Sequence, residues 1–69
     1  MSFKVGDLIR YKKESGLDTS RYMLVTGYGT SYQRQITGTY RVYKLLDVRK
    51  DIHYEWSDRW VDAEFVLVQ

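Results

Sequence analysis

Asp51, His53 and Glu55 alternate with Ile52, Tyr54 and Trp56, the cleanest period-two run in the chain. On a strand these three polar side chains share one face at a spacing of about 7 Å. A carboxylate beside an imidazole can orient a base or supply one edge of a metal site. Ligands on a single flat strand do not converge on a metal without partners from other elements, so the run reads first as a solvated outer face. One histidine and no cysteine in 69 residues leave no other notable catalytic or metal-binding constellation. The pair Gly27-x-Gly29 lacks the helix and the Lys-Ser/Thr that a phosphate loop needs. These residues argue against an enzyme, and neither a metal, a cofactor nor a small-molecule substrate is expected.

Two binding chemistries have more behind them. Cations interleave with rings at Arg10-Tyr11-Lys12-Lys13, Arg21-Tyr22 and Tyr40-Arg41-x-Tyr43-Lys44. Cations meet phosphates and rings stack on bases, so Lys12, Lys13, Arg41 and Lys44 are candidates for binding a nucleic acid, single strands or RNA. Against this, Tyr and Arg are ordinary cross-strand neighbours, and a net charge of +2 is low for a dedicated binder. The second chemistry is protein contact. Seven Tyr, two Trp and two Phe cannot all be interior in so small a body. Surplus aromatics on a charged surface match the composition of interface hot spots. Tyr28, Tyr32, Arg34, Trp56 and Trp60 are the candidate contact residues. Of these, Trp56 follows the core register and is expected to be buried, while Arg34 is the loop charge best placed to meet a partner.

These residues must be positioned by strands. The first is expected over Asp7 to Lys13, with Ile9 and Tyr11 on one face, followed by a polar loop from Glu14 to Ser20. The second, Arg21 to Tyr28, sends Met23 and Val25 to the core and leaves Tyr22 near the rim, with Gly27 marking a bulge or bend. Gly29 to Gly38 reads as a long hairpin loop. Thr39 to Val48 forms a third strand with both faces partly apolar, and Arg49-Lys50-Asp51 turns into a fourth through Ile52, Tyr54 and Trp56. After a turn at Ser57-Asp58-Arg59, Val61, Phe65 and Val68 follow helical spacing, yet the run Phe65 to Val68 favours strand. The preferred reading is one helical turn around Asp62-Ala63-Glu64 and a closing strand.

Length sets a single domain that buries only about 60% of its unfolded surface, with no disulfide to reinforce it. Charge is uneven: residues 1–50 carry ten Lys/Arg against four Asp/Glu, and residues 51–69 one against five. In a single small barrel the two parts interleave, which fits acidic last strands beside basic neighbours. Neither a secretory signal nor an apolar run approaching the roughly 20 residues of a membrane span is visible. An intracellular location, in a cell or in a virion assembled inside one, is expected, with no membrane contact.

The opening Phe3-Lys4-Val5-Gly6-Asp7-Leu8-Ile9-Arg10, taken with Met23-Leu24-Val25-Thr26-Gly27-Tyr28, resembles a family of small uncharacterised bacterial proteins. Those proteins share an F-K-V-G-D opening and an M-x-V-T-G strand. With Trp56, Trp60 and the terminal Glu64-Phe65-x-Leu67-Val68, the chain also resembles short SH3-like proteins of tailed bacteriophages. Glu14 to Ser20 replaces the Gly-Gly-Pro loop of the bacterial group, which makes the phage resemblance the nearer one. It implies a five-stranded SH3-like barrel, all-β apart from one short helical turn before the last strand. It also implies a virion component or accessory factor acting by protein contact or self-association. Neither group supplies a catalytic residue.

Overall fold

Gly6 and Asp7 deliver the chain into its sheet. Gly6 adopts φ 97°, a conformation that costs a glycine little. Asp7 Oδ2 accepts a hydrogen bond from Lys4 N at 2.8 Å, and Asp7 N donates to Lys4 O at 3.0 Å. The computed structural model describes residues 2–12, 22–33 and 38–68. Within them the turn leads into β1 (Leu8–Tyr11), followed by β2 (Tyr22–Gln33), β3 (Gly38–Asp47), β4 (Ile52–Ser57), α1 (Asp58–Glu64) and β5 (Phe65–Leu67). A Cβ on Gly6 would meet nothing within 4 Å, so only its backbone resists substitution. Gly6→Ala is therefore expected to lower the unfolding free energy by about 1–2 kcal/mol, with an unchanged denaturant slope in urea titration.

All five strands are antiparallel in one sheet of order β4-β3-β2-β1-β5. Chain neighbours are sheet neighbours except at the end, where β5 returns to pair with β1 through Ile9↔Leu67 and Tyr11↔Phe65. The closed barrel expected from the resemblance is not formed: β4 and β5 are the two edges, and no ladder joins them. The connection between them is taken up by α1, and β5 pairs with β1 alone.

β2 does not stop at Tyr28. It pairs with β3 without further irregularity from Tyr28↔Tyr43 to Gln33↔Gly38, so most of the expected Gly29–Gly38 loop is a two-stranded ribbon. The ribbon forms because Thr30, Tyr32, Thr39 and Tyr40 favour pleated backbone, which outweighs the glycines that suggest a loop. The expected bulge is real: the register shifts between Val25 and Gly27, leaving Thr26 as the extra residue. Its consequence is a change of phase. Val25 faces the core, and the inserted Thr26 returns Tyr28 to that same face, beside Tyr43.

The core is Phe3, Ile9, Met23, Val25, Tyr43, Leu45, Val61 and Phe65, with Tyr11, Tyr54 and Trp56 packed against it. Tyr22 stays at the rim, as its register predicts. The fourth strand departs from expectation. Ile52 is 44% exposed and Trp56 is half-buried, because β4 is a sheet edge with no strand beyond it. Buried Asp47 stands opposite Ile52 instead. Its Oδ1 accepts from Arg49 N and Lys50 N, both at 3.1 Å, and Asp51 N closes the turn on Asp47 O at 2.8 Å.

The helix begins at Asp58, directly after β4, rather than as one turn around Asp62-Ala63-Glu64. The earlier start carries Val61, the helix's buried residue, into the core, and Asp58 places a negative charge in the first turn. Phe65 N still donates to Val61 O, so helix passes into strand without a linker.

Candidate functional site

Tyr43 organises the middle of the molecule. Its ring is fully buried between Phe3 at 5.9 Å and Tyr28 at 5.8 Å, centroid to centroid. Its hydroxyl donates to Asp62 Oδ1 at 2.6 Å and accepts from Phe3 N at 3.1 Å. Asp62 Oδ1 also accepts from Ser2 N at 3.1 Å, and Tyr28 OH donates to Phe3 O at 2.8 Å. Burial first, then the bond to the Asp62 carboxylate, pushes the Tyr43 hydroxyl up to about 12. These bonds tie the N-terminal segment to β2, β3 and α1, and they hold the helix in place over the sheet.

What the helix presents is Trp60. Its ring stacks on Tyr11 at 6.3 Å and 27°, and meets Trp56 edge-on at 5.2 Å and 87°. It also packs on Phe65 at 5.5 Å and 71°. Phe65 in turn contacts Tyr11 at 5.6 Å and Trp56 at 5.9 Å, and Tyr54 stacks on Trp56 at 4.8 Å. Five rings from β1, β4, α1 and β5 thus form one cluster on the side where the sheet stays open. Phe65 is its buried floor, Tyr11, Tyr54 and Trp56 are half-buried walls, and Trp60 is 44% exposed. Offset and edge-to-face contacts of this kind fix ring orientation before any partner arrives.

Of the five candidate contact residues, four lie among the described residues. Trp56 and Trp60 touch each other. Tyr28 and Tyr32 lie on the ribbon, exposed at 43% and 64%, and Arg34 falls outside the described residues. Tyr11, Tyr54 and Phe65 belong to the Trp cluster, although the sequence reading passed them over. For Tyr11 the signal was its phase with Ile9, and for Tyr54 its phase with Trp56.

The candidate cations are dispersed as well. Lys13 is outside the described residues. Lys12 follows the end of β1, near the Tyr22 end of β2, and its N donates to Glu64 O at 2.9 Å. Arg41 pairs with Thr30 towards the other end of β2. Lys44 lies three residues from Arg41 on β3 and therefore on the opposite face. Its alkyl stem runs over the glycine pair: a Cβ on Gly27 would stand 3.6 Å from Lys44 Cδ, and one on Gly29 3.2 Å from Lys44 Cε. The two glycines make room for this side chain.

Asp51, His53 and Glu55 are all exposed; His53 and Glu55 lie on β4, whereas Asp51 falls in the turn before it at φ 56° and so does not share the strand face. Among the described residues no three His, Asp or Glu side chains are grouped to hold a metal. No described helix is long and apolar enough to cross a membrane. Comparison with protein-family models, with curated proteins and with solved structures found no match for this chain.

Proposed function

We propose that this protein is a non-enzymatic interaction module that docks on a larger protein assembly through the aromatic cluster centred on Trp60. The observation that carries the reading is the state of that ring. Trp60 is nearly half exposed, yet Tyr11, Trp56 and Phe65 hold it from three directions. A rigid, amphipathic aromatic anchor loses little conformational freedom on binding, which is why such residues dominate interface energetics. The resemblance to short SH3-like phage proteins supplies the class of assembly, a tailed-phage particle or a host protein met during infection. A helix that runs straight into a short last strand on β1 supports the SH3-like reading.

Binding of nucleic acid draws less support. Lys12 and Arg41 sit towards opposite ends of β2, and Arg41 and Lys44 on opposite faces of β3. Among the described residues, Lys12, Arg41 and Lys44 therefore do not line up as one basic strip for a phosphate backbone to follow.

The test compares the wild-type chain with Trp60→Ala in binding to purified phage particles and to their separated structural proteins. Loss of about 2 kcal/mol or more is expected, roughly thirtyfold in affinity, as for a central aromatic anchor. Val48→Ala, at another exposed apolar position that is not part of the cluster, is expected to bind normally. Equal binding by wild type and Trp60→Ala would refute the reading. So would binding to nucleic acid alone that falls log-linearly as salt rises.

A further inference from the structure

The distal half of the β2–β3 hairpin carries an edge that no other described strand covers. β1 pairs with β2 only as far as Leu24, after which Gly6 N and Asp7 O engage the backbone of Val25. β3 continues beside β2 to the Gln33↔Gly38 pair. From Tyr28 to Tyr32, β2 is thus paired with a strand on one side only among the described residues, and alternate residues turn their N–H and C=O outward. The sheet's other edges are blunted: β4 carries His53 and Glu55, and β5 has three residues. Tyr28-Gly29-Thr30-Ser31-Tyr32-Gln33 contains neither a charge nor a proline. An edge of this kind is a template for another strand.

The residues along it indicate which strand. Tyr28-Gly29-Thr30-Ser31-Tyr32 is nearly symmetric about Thr30 in both size and chemistry. Laid antiparallel against the same stretch of a second copy, with a two-fold axis at Thr30, it sets Tyr28 opposite Tyr32 of that copy, twice over. Thr30 meets its own counterpart, and Gly29 meets Ser31 on the other face, where small side chains let the backbones approach. Aromatic pairs and Thr–Thr pairs directly opposite each other are favourable cross-strand combinations. Tyr28 and Tyr32 share one face of β2; Tyr32 is exposed, and Tyr28 keeps an exposed side although its ring packs on Tyr43 and its hydroxyl bonds Phe3 O. Charge does not oppose it. Arg41, opposite Thr30 on β3, would lie three strand spacings from its counterpart, about 14 Å, beyond the screening length of about 8 Å at physiological salt.

We infer that the β2 edges of two copies of this chain pair antiparallel about Thr30, giving a two-fold dimer joined by a continuous β3-β2-β2-β3 sheet. Such an interface is self-complementary by construction, as closed dimers require. It uses the backbone edge of β2, which contributes no ring to the Trp60 cluster, and its test is independent of the docking role.

Light scattering of the purified protein from micromolar to near-millimolar concentration should show the mass rising towards twice the 8.3 kDa of one chain. Thr30→Lys places two ammonium groups at the axis and should hold the mass at one chain, with the β-sheet circular dichroism unchanged. The chain has no cysteine of its own, so Thr30→Cys supplies a second measurement that does not depend on the lysine variant folding. Opposed antiparallel residues stand within disulfide range, so mild oxidation should cross-link Thr30→Cys at least tenfold faster than Thr39→Cys, which is one strand further from the axis. A single-chain mass at every concentration overturns the inference. So does a dimer that Thr30→Lys leaves intact, or equal cross-linking of the two cysteine variants.

Discussion

Tyr43→Ala should remove the cooperative unfolding transition of this protein at ambient temperature. The ring is fully buried, contacts Phe3 and Tyr28, and lies within the core built from β1, β2, β3, α1, β5 and the N-terminal segment. Truncating a buried aromatic costs about 3–5 kcal/mol, because lost contacts and the residual cavity add. At about 0.05–0.15 kcal/mol per residue, a chain of this length has roughly 3–10 kcal/mol in total. The substitution also strips Asp62 of a donor and Phe3 N of an acceptor. Tyr43→Phe separates the two contributions. It keeps the ring and loses only the hydroxyl, for an expected cost of about 1–3 kcal/mol.

The same hydroxyl sets a pH dependence with a definite sign. Folding raises the Tyr43 pKa from 10.0 to about 12, so the folded chain holds a proton that the unfolded chain releases. Its contribution is complete below pH 10 and is lost as pH rises from 10 towards 12. Urea titrations across that interval should show wild-type stability falling more steeply than that of Tyr43→Phe. A Tyr43→Ala chain that melts within a few degrees of wild type, or parallel pH profiles for wild type and Tyr43→Phe, would contradict this account.

Deleting Thr26 should be far more damaging than replacing it. Thr26 is exposed, and its Oγ1 donates to Lys44 O at 3.1 Å, so Thr26→Ala is expected to cost about 1 kcal/mol or less. Removing the residue removes the bulge. Every side chain from Gly27 to Gln33 then changes face unless the hairpin slips its register. Tyr28 leaves Tyr43, and the bond from its hydroxyl to Phe3 O is broken. The lost aromatic contact and hydrogen bond together come to about 2–4 kcal/mol. Denaturation midpoints give the magnitude. Loss of NMR contacts between the Tyr28 and Tyr43 rings identifies the cause. Equal midpoints for the deletion and for Thr26→Ala would show that the phase change is not what the bulge provides.

Much of this architecture is legible without coordinates. The Gly6-Asp7 turn, the burial of Ile9, Met23 and Val25, the bulge near Gly27 and the turn before Ile52 all follow from local chemistry. Each depends on residues adjacent in the chain, on a φ that only glycine tolerates freely, or on alternation over a few positions. The same locality placed His53 and Glu55 on an exposed face of β4. Interactions at that range leave their mark on the sequence itself.

The remainder depended on distant partners. Nothing in the alternation of Ile52, Tyr54 and Trp56 says that β4 is an edge strand, so the exposure of Ile52 and the half-burial of Trp56 had to await the strand order. Helical and extended readings of residues 58–68 were close in local preference. The fit of Val61 into the core and the bond between Tyr43 and Asp62, 19 residues away in the chain, favour an early helix start. The candidate surface behaves alike. Composition shows a surplus of aromatic rings, but assembling Tyr11, Tyr54, Trp56, Trp60 and Phe65 into one cluster requires three strands and a helix to meet. Sequence alone determined which rings were available and which local turns would form. Tertiary packing decided which rings were brought together, because ring contacts depend on strand order and helix placement, and both are set by long-range burial.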